Sequence, residues 1–255
     1  MNLVEVDKVI DCFGYPVVVY NYKNHDLNRD EIVKDARENY TIDQIKDGLL
    51  NHRRTNNLTE PFLQSENKSV KDLYNAYMEA LNHFYSHELD YQFVDESDGP
   101  QINQSWVMDY VPQEYKTGRH RGLKYHTHYL SFVCGCYYPL FEQETGGELC
   151  FLNPSSTIDR HLFSTQKIIG DEQSLDSDFM KEFEMRCYKV IKNHRKIVEF
   201  KEGQIVLWYG NLNHGTKPSS KPSTRMSIVV NTSPKILSEK RGSYLYKIEP
   251  YFPDK

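Results

Sequence analysis

The stretch Lys124-Tyr-His-Thr-His-Tyr-Leu-Ser-Phe-Val-Cys-Gly-Cys-Tyr-Tyr-Pro139 constrains the fold more than any other. It is rich in aromatic and β-branched residues and ends on Pro139, so it reads as one long strand. Strand residues i and i+2 face the same side. His126 and His128 then point to one spot. Two imidazoles converging from one strand suit a divalent transition metal. Alone the pair is weak evidence, since the rim of a β-sandwich carries histidines with no ligand at all.

The rest of the chain is read around this strand. Residues 9–21 form a strand or two, with Pro16 at an edge. Asn28 can cap a helix through about Asn39, and Thr41 another, with Gln44 completing a capping box. Residues 51–67 are polar and loop-like. From Ser69 an apolar face recurs at helical spacing through Val70, Leu73, Tyr74, Tyr77, Leu81 and Phe84. His83 and His87 on that helix read as surface residues. Strands follow at Ser105–Val111, Glu148–Leu152, Arg195–Phe200, Gln204–Tyr209 and Arg225–Asn231, with a last one over 243–248. Short strands with regular turns predict a mainly β protein with helices (α+β), a sandwich or jelly roll. The 255 residues fit a single domain. Residues 1–100 carry supporting strand and helices, 101–235 the core, and 236–255 a C-terminal strand or tail. Within the core, 157–194 reads as a polar insertion with a helix around 176–188.

Composition removes several function classes. The net charge of -5 and the absence of a basic block argue against nucleic acid as a partner. No apolar run is long enough for a membrane span. The first residues lack a signal-peptide pattern. The five cysteines, Cys12, Cys134, Cys136, Cys150 and Cys187, show no Cys-x-x-Cys spacing and are an odd number. Free thiols and a cytoplasmic location are expected. Cys134, Cys136 and Cys150 read as small core residues. No phosphate loop, dinucleotide fingerprint or nucleophile elbow is present.

Three features remain, in chain order: the His126/His128 pair, His214 in a loop, and Arg225 with Ser227 two residues on. A non-haem Fe(II) site that activates oxygen needs protein ligands on one side and open positions on the other. A bidentate cosubstrate diacid then needs a buried cation for its far carboxylate. The planar fork of arginine matches a carboxylate with two parallel hydrogen bonds.

In these residues, over roughly Gln101 to Ser233, the chain resembles the 2-oxoglutarate/Fe(II)-dependent dioxygenases. Trp106, Tyr137-Tyr-Pro-Leu140 and Gly146-Gly-Glu-Leu149 bring it nearest the prolyl-hydroxylase-like branch and the small bacterial and phage oxygenases with a His-x-His motif. The resemblance implies a double-stranded β-helix with N-terminal buttressing helices. It implies Fe(II) held by His126, His128 and His214, and 2-oxoglutarate as cosubstrate. Arg225 would hold the C5 carboxylate with Ser227 assisting, and Tyr110 and Tyr138 would line the pocket. It implies O2 as oxidant and hydroxylation of a small-molecule or peptide substrate, with release of succinate and CO2. One departure matters: His128 stands where the superfamily has a carboxylate. His128 either completes a three-histidine set or turns away and leaves the position open, as in halogenating relatives. Asp109 and Glu148 are nearby carboxylates without the right spacing.

Two rivals stay open. A metal cupin also uses His-x-His, but a cupin glutamate is expected where Phe132 and Val133 stand, and cupins have no use for Arg225 and Ser227. A non-catalytic jelly-roll binding module would carry vestigial histidines. Asn213 and Lys217, and the basic loop with Lys116, Arg119, His120, Arg121 and Lys124, are candidate substrate contacts for a polar or anionic target.

Overall fold

The computed structural model describes residues 2–39, 42–47, 50–55, 61–91, 99–110, 125–128, 131–143, 146–154, 195–217 and 224–235. The basic loop, the insertion 157–194, Cys187 and the strand expected over 243–248 lie outside the described residues.

Eleven described strands form two antiparallel sheets. They are β1 (Val4–Cys12), β2 (Tyr15–Tyr22), β3 (Ile42–Asp47), β4 (Leu50–Thr55), β5 (Pro100–Tyr110), β6 (Val133–Phe141), β7 (Leu149–Leu152), β8 (Arg195–Val198), β9 (Gln204–Tyr209), β10 (His214–Thr216) and β11 (Arg225–Pro234). The major sheet runs β1-β2-β9-β6-β11-β5-β4-β3, and the minor sheet β10-β7-β8. Two helices, α1 (His25–Asn39) and α2 (Lys68–His83), complete an α+β jelly roll.

The central strands are apolar on both faces because both faces are covered. On one, Val107, Tyr137, Leu207, Ile228 and Val230 pack against Ile32, Leu73, Tyr77 and Leu81 of the helices. On the other, Trp106, Cys134, Cys136, Val206, Trp208 and Val229 pack against Leu149, Phe151 and Val198 of the minor sheet. Tyr77 reaches through the first layer and donates its hydroxyl to the Ile228 carbonyl at 2.6 Å. Cys12, Cys134, Cys136 and Cys150 are free and buried, in keeping with the core role expected of the last three. No helix among the described residues is long and apolar enough to cross a membrane.

Several expectations are corrected. The long strand over 124–139 does not form as one piece: β6 starts at Val133, and His126 lies on a separate segment that bridges His214. Pro139 does not end the strand. Tyr138 and Pro139 together oppose Ser227, since Tyr137 pairs with Ile228 and Leu140 with Met226. A bulge of this kind tolerates a residue that cannot donate to the ladder. The segment after Thr41 and the polar residues 50–55 form the hairpin β3–β4, which extends the sheet beside β5. Helix α1 starts at His25. Asn28 lies buried inside it and donates to Asp72 and to the Tyr22 hydroxyl. Helix α2 is capped by Asn67, whose side chain accepts from the Ser69 N–H at 2.8 Å. His83 is partly buried rather than a simple surface residue: it meets Tyr20 and stacks on His87 at 4.4 Å.

Candidate metal centre

His214 opens β10 opposite Phe151 of β7, so its side chain faces into the space between the sheets. Trp208 approaches it edge-on, with ring centroids 4.8 Å apart. Its Nδ1 donates to the Leu212 carbonyl at 2.9 Å, which leaves Nε2 with its lone pair facing outward from that anchor. Burial, then the imidazoles of His126 and His128, hold His214 well below the ordinary histidine range. It is therefore neutral, the state a metal ligand needs.

The segment carrying His126 and His128 is held by backbone bonds in both directions with β10. The His126 N–H donates to the His214 carbonyl, and the His214 N–H to His126, each at 2.9 Å. The His128 N–H donates to Gly210 at 3.0 Å. Trp106 of β5 lies nearly parallel to the His128 ring, 6.0 Å away. The two Nε2 atoms of the pair stand 3.1 Å apart. Ligand atoms of His126, His128 and His214 all lie within 4.8 Å of one another.

The donor set fits a first-row divalent ion. With nitrogens about 2.1 Å from the ion and at right angles, two ligand atoms stand about 3.0 Å apart. The His126–His128 separation matches that, and imidazole suits Fe, Zn, Cu and Ni. His128 points to the group rather than away from it. Neither carboxylate considered from the sequence joins in. Asp109 is fully buried, and Arg37 of α1 binds both its oxygens, at 2.9 and 3.1 Å. Glu148 pairs with Lys217 at 3.7 Å, and its Oε2 is buried with no hydrogen-bond partner among the described residues.

Arg225 and Ser227 share the inner face of β11 with Val229. Arg225 is 8 % exposed and Ser227 2 %. The Arg225 Nη1 donates to the Gly147 carbonyl at 2.9 Å. Gly147 in turn donates to the Lys217 carbonyl, just past the end of β10. Arg225 is thus one short strand away from His214, about 10 Å along the chain direction. Tyr110 is its backbone partner on β5. Tyr138 is buried on the same inner face, stacked on Phe200 at 3.9 Å. It lies beside Cys136, whose thiol burial pushes up to about 12 while Tyr138 and the Arg225 charge pull it back. Asn213 lies beside His214, with Oδ1 buried and unpartnered among the described residues. The Leu212 carbonyl, Trp208 and Gly147 are the parts sequence reasoning missed. Only the Gly146-Gly147 turn left a visible sign.

No family model matches the sequence, and no curated protein matches it either. Solved structures do. A prolyl hydroxylase from Trichoplax adhaerens, in complex with a hypoxia inducible factor oxygen degradation domain peptide fragment, is 11% identical. The match covers 95% of this chain and 87% of that one, with a TM-score of 0.50. The non-heme alpha ketoglutarate dependent epimerase SnoN from nogalamycin biosynthesis is 12% identical, over 86% of this chain and 78% of that one, with a TM-score of 0.50. At such identities the likeness is one of fold: this chain has the jelly roll of the 2-oxoglutarate/Fe(II) oxygenases, with a His-x-His and a distal histidine gathered at the margin of the space between its sheets.

Proposed function

We propose that the chain is a cytoplasmic non-haem Fe(II)- and 2-oxoglutarate-dependent oxygenase that uses O2 to hydroxylate a polar small molecule, an amino acid or a peptide side chain. The observation that carries this reading is the convergence of three imidazoles with a buried guanidinium on the strand face behind them. His126, His128 and His214 would hold the ion. Arg225 would bind the C5 carboxylate of 2-oxoglutarate, with Ser227 adding a hydroxyl and Tyr110 and Tyr138 lining the pocket. Bound there, the ion and cosubstrate supply oxidising power, as 2-oxoglutarate gives succinate and CO2 and one oxygen atom of O2 enters the substrate.

The chain's own residues supply placement. The Leu212 carbonyl fixes the His214 ring, and Trp106 walls in His128. The apolar inner face walls the buried side of the centre, at His214, while His126 is exposed at its outer side. An imidazole in place of a carboxylate ligand would leave the loaded site one unit more positive, which favours a dianionic cosubstrate.

Anaerobic protein with Fe(II) and 2-oxoglutarate is expected to show a weak metal-to-ligand charge-transfer band, and in air to form succinate. Arg225→Ala should weaken 2-oxoglutarate binding. Absence of the band, or a band untouched by Arg225→Ala, counts against the proposal. Metal-dependent oxidation without 2-oxoglutarate would favour a cupin.

A further inference from the structure

The inner face of the major sheet is organised in transverse rows. One row is Trp106, Val229, Cys136 and Val206; the next is Gln104, Asn231, Cys134 and Trp208. The imidazoles sit over these two rows, His128 against Trp106 and His214 against Trp208. Arg225 lies two rows beyond Trp106 in the opposite direction. Gln104 and Asn231 therefore border the imidazoles on the side away from the cosubstrate anchor.

The hydrogen bonds of this pair leave a definite chemical surface. Asn231 Nδ2 donates to Gln104 Oε1 at 2.8 Å, and the Cys134 thiol donates to Asn231 Oδ1 at 3.4 Å. Each amide oxygen is already engaged. The N–H groups on Gln104 Nε2 and the second on Asn231 Nδ2 have no partner among the described residues. Gln104 is half-buried and Asn231 buried. None of the eight residues named in the two rows is charged. Within these rows a carboxylate would meet only neutral donors, whereas a carbonyl oxygen would only exchange one hydrogen bond for another.

We propose that Gln104 and Asn231 determine specificity by donating hydrogen bonds to the carbonyl oxygen of an amide substrate, a peptide or carboxamide, in preference to a free acid. The inference rests on the oxygenase reading above. The test uses the full chain with Fe(II) and 2-oxoglutarate. The probes are N-acetylated, C-amidated tripeptides of varied central residue, beside the matching free amino acids. Capped peptides are expected to stimulate succinate formation and the free acids to do so at least about tenfold less well. Gln104→Ala should raise KM for the best peptide about tenfold with kcat near wild type, the pattern of a lost binding contact. Gln104→Glu, which sets a carboxylate against the carbonyl, should do at least as much, and an unchanged thermal midpoint shows that both variants fold. Equal stimulation by free acids overturns the proposal. So does an unchanged KM in Gln104→Ala, or no stimulation by either set while the 2-oxoglutarate charge-transfer band titrates normally. A wild-type protein without that band fails earlier, at the oxygenase reading, and takes this proposal with it.

Discussion

Gly147 has φ +88°, and a Cβ added there would stand 2.7 Å from Arg225 Nη1. The position needs glycine twice over, for its backbone and for the guanidinium that rests on its carbonyl. Gly147→Ala is expected to destabilise the protein by about 1–3 kcal/mol in urea unfolding, through strain at positive φ and overpacking. It should also weaken 2-oxoglutarate binding, because the side chain displaced is Arg225. Arg225→Lys separates charge from geometry. It keeps the cation but loses the planar fork, so affinity measured by charge-transfer titration should fall about tenfold or more. An affinity equal to wild type would mean that the charge at this position suffices and the planar fork adds nothing.

Among the elements, α1 owes its position to ion pairs, Arg29 with Glu202 and Arg37 with Asp109, as well as to its apolar residues. Asp109 of β5 is fully buried, and Arg37, which is 38% exposed, is its partner. Removing the partner leaves a buried carboxylate alone, so Arg37→Ala should cost about 2–4 kcal/mol in chemical denaturation. A loss well below 1 kcal/mol would show that water replaces the guanidinium without penalty. Asp109 also shows where reading by residue type fails. As a carboxylate near the histidines it looked like a possible ligand, yet period two on β5 puts it with Val107 on the helix side, opposite Trp106. The same period made Arg225 and Ser227 legible as a pair, and the 3.6-residue period made α2 legible. The hairpin β3–β4 was not legible, because its polar residues carry little pattern and its place comes from pairing with β5. The histidine group was legible as a set of residues but not as a strand. His126 and His128 lie on a segment anchored by His214 and Gly210, and such long-range pairing leaves no local mark.

At the scale of the whole molecule, the major sheet separates two cores. The one on the helix side is a scaffold, and the one between the sheets holds the imidazoles at its margin. That margin makes stability depend on pH in a defined sense. Burial, with neighbouring imidazoles, depresses both His214 and, on the helix side, His83 below their ordinary value of 6.5. The unfolded chain therefore takes up protons at a higher pH than the folded one. Where the unfolded state binds more protons, stability rises with pH. Above 6.5 both states are neutral at these two residues and their contribution is level. As pH falls below that value, the contribution is progressively lost. Metal-free protein should unfold at lower urea concentration at about pH 5.3 than at about pH 7, and His83→Gln should flatten part of that slope. Divalent ion added to the same samples should steepen it, since a bound ion requires neutral imidazoles and its affinity falls as they are protonated. A metal-free protein whose urea midpoint is flat across this interval would mean that His214 takes a proton where it stands. The enclosure that keeps it ready as a ligand would then be absent.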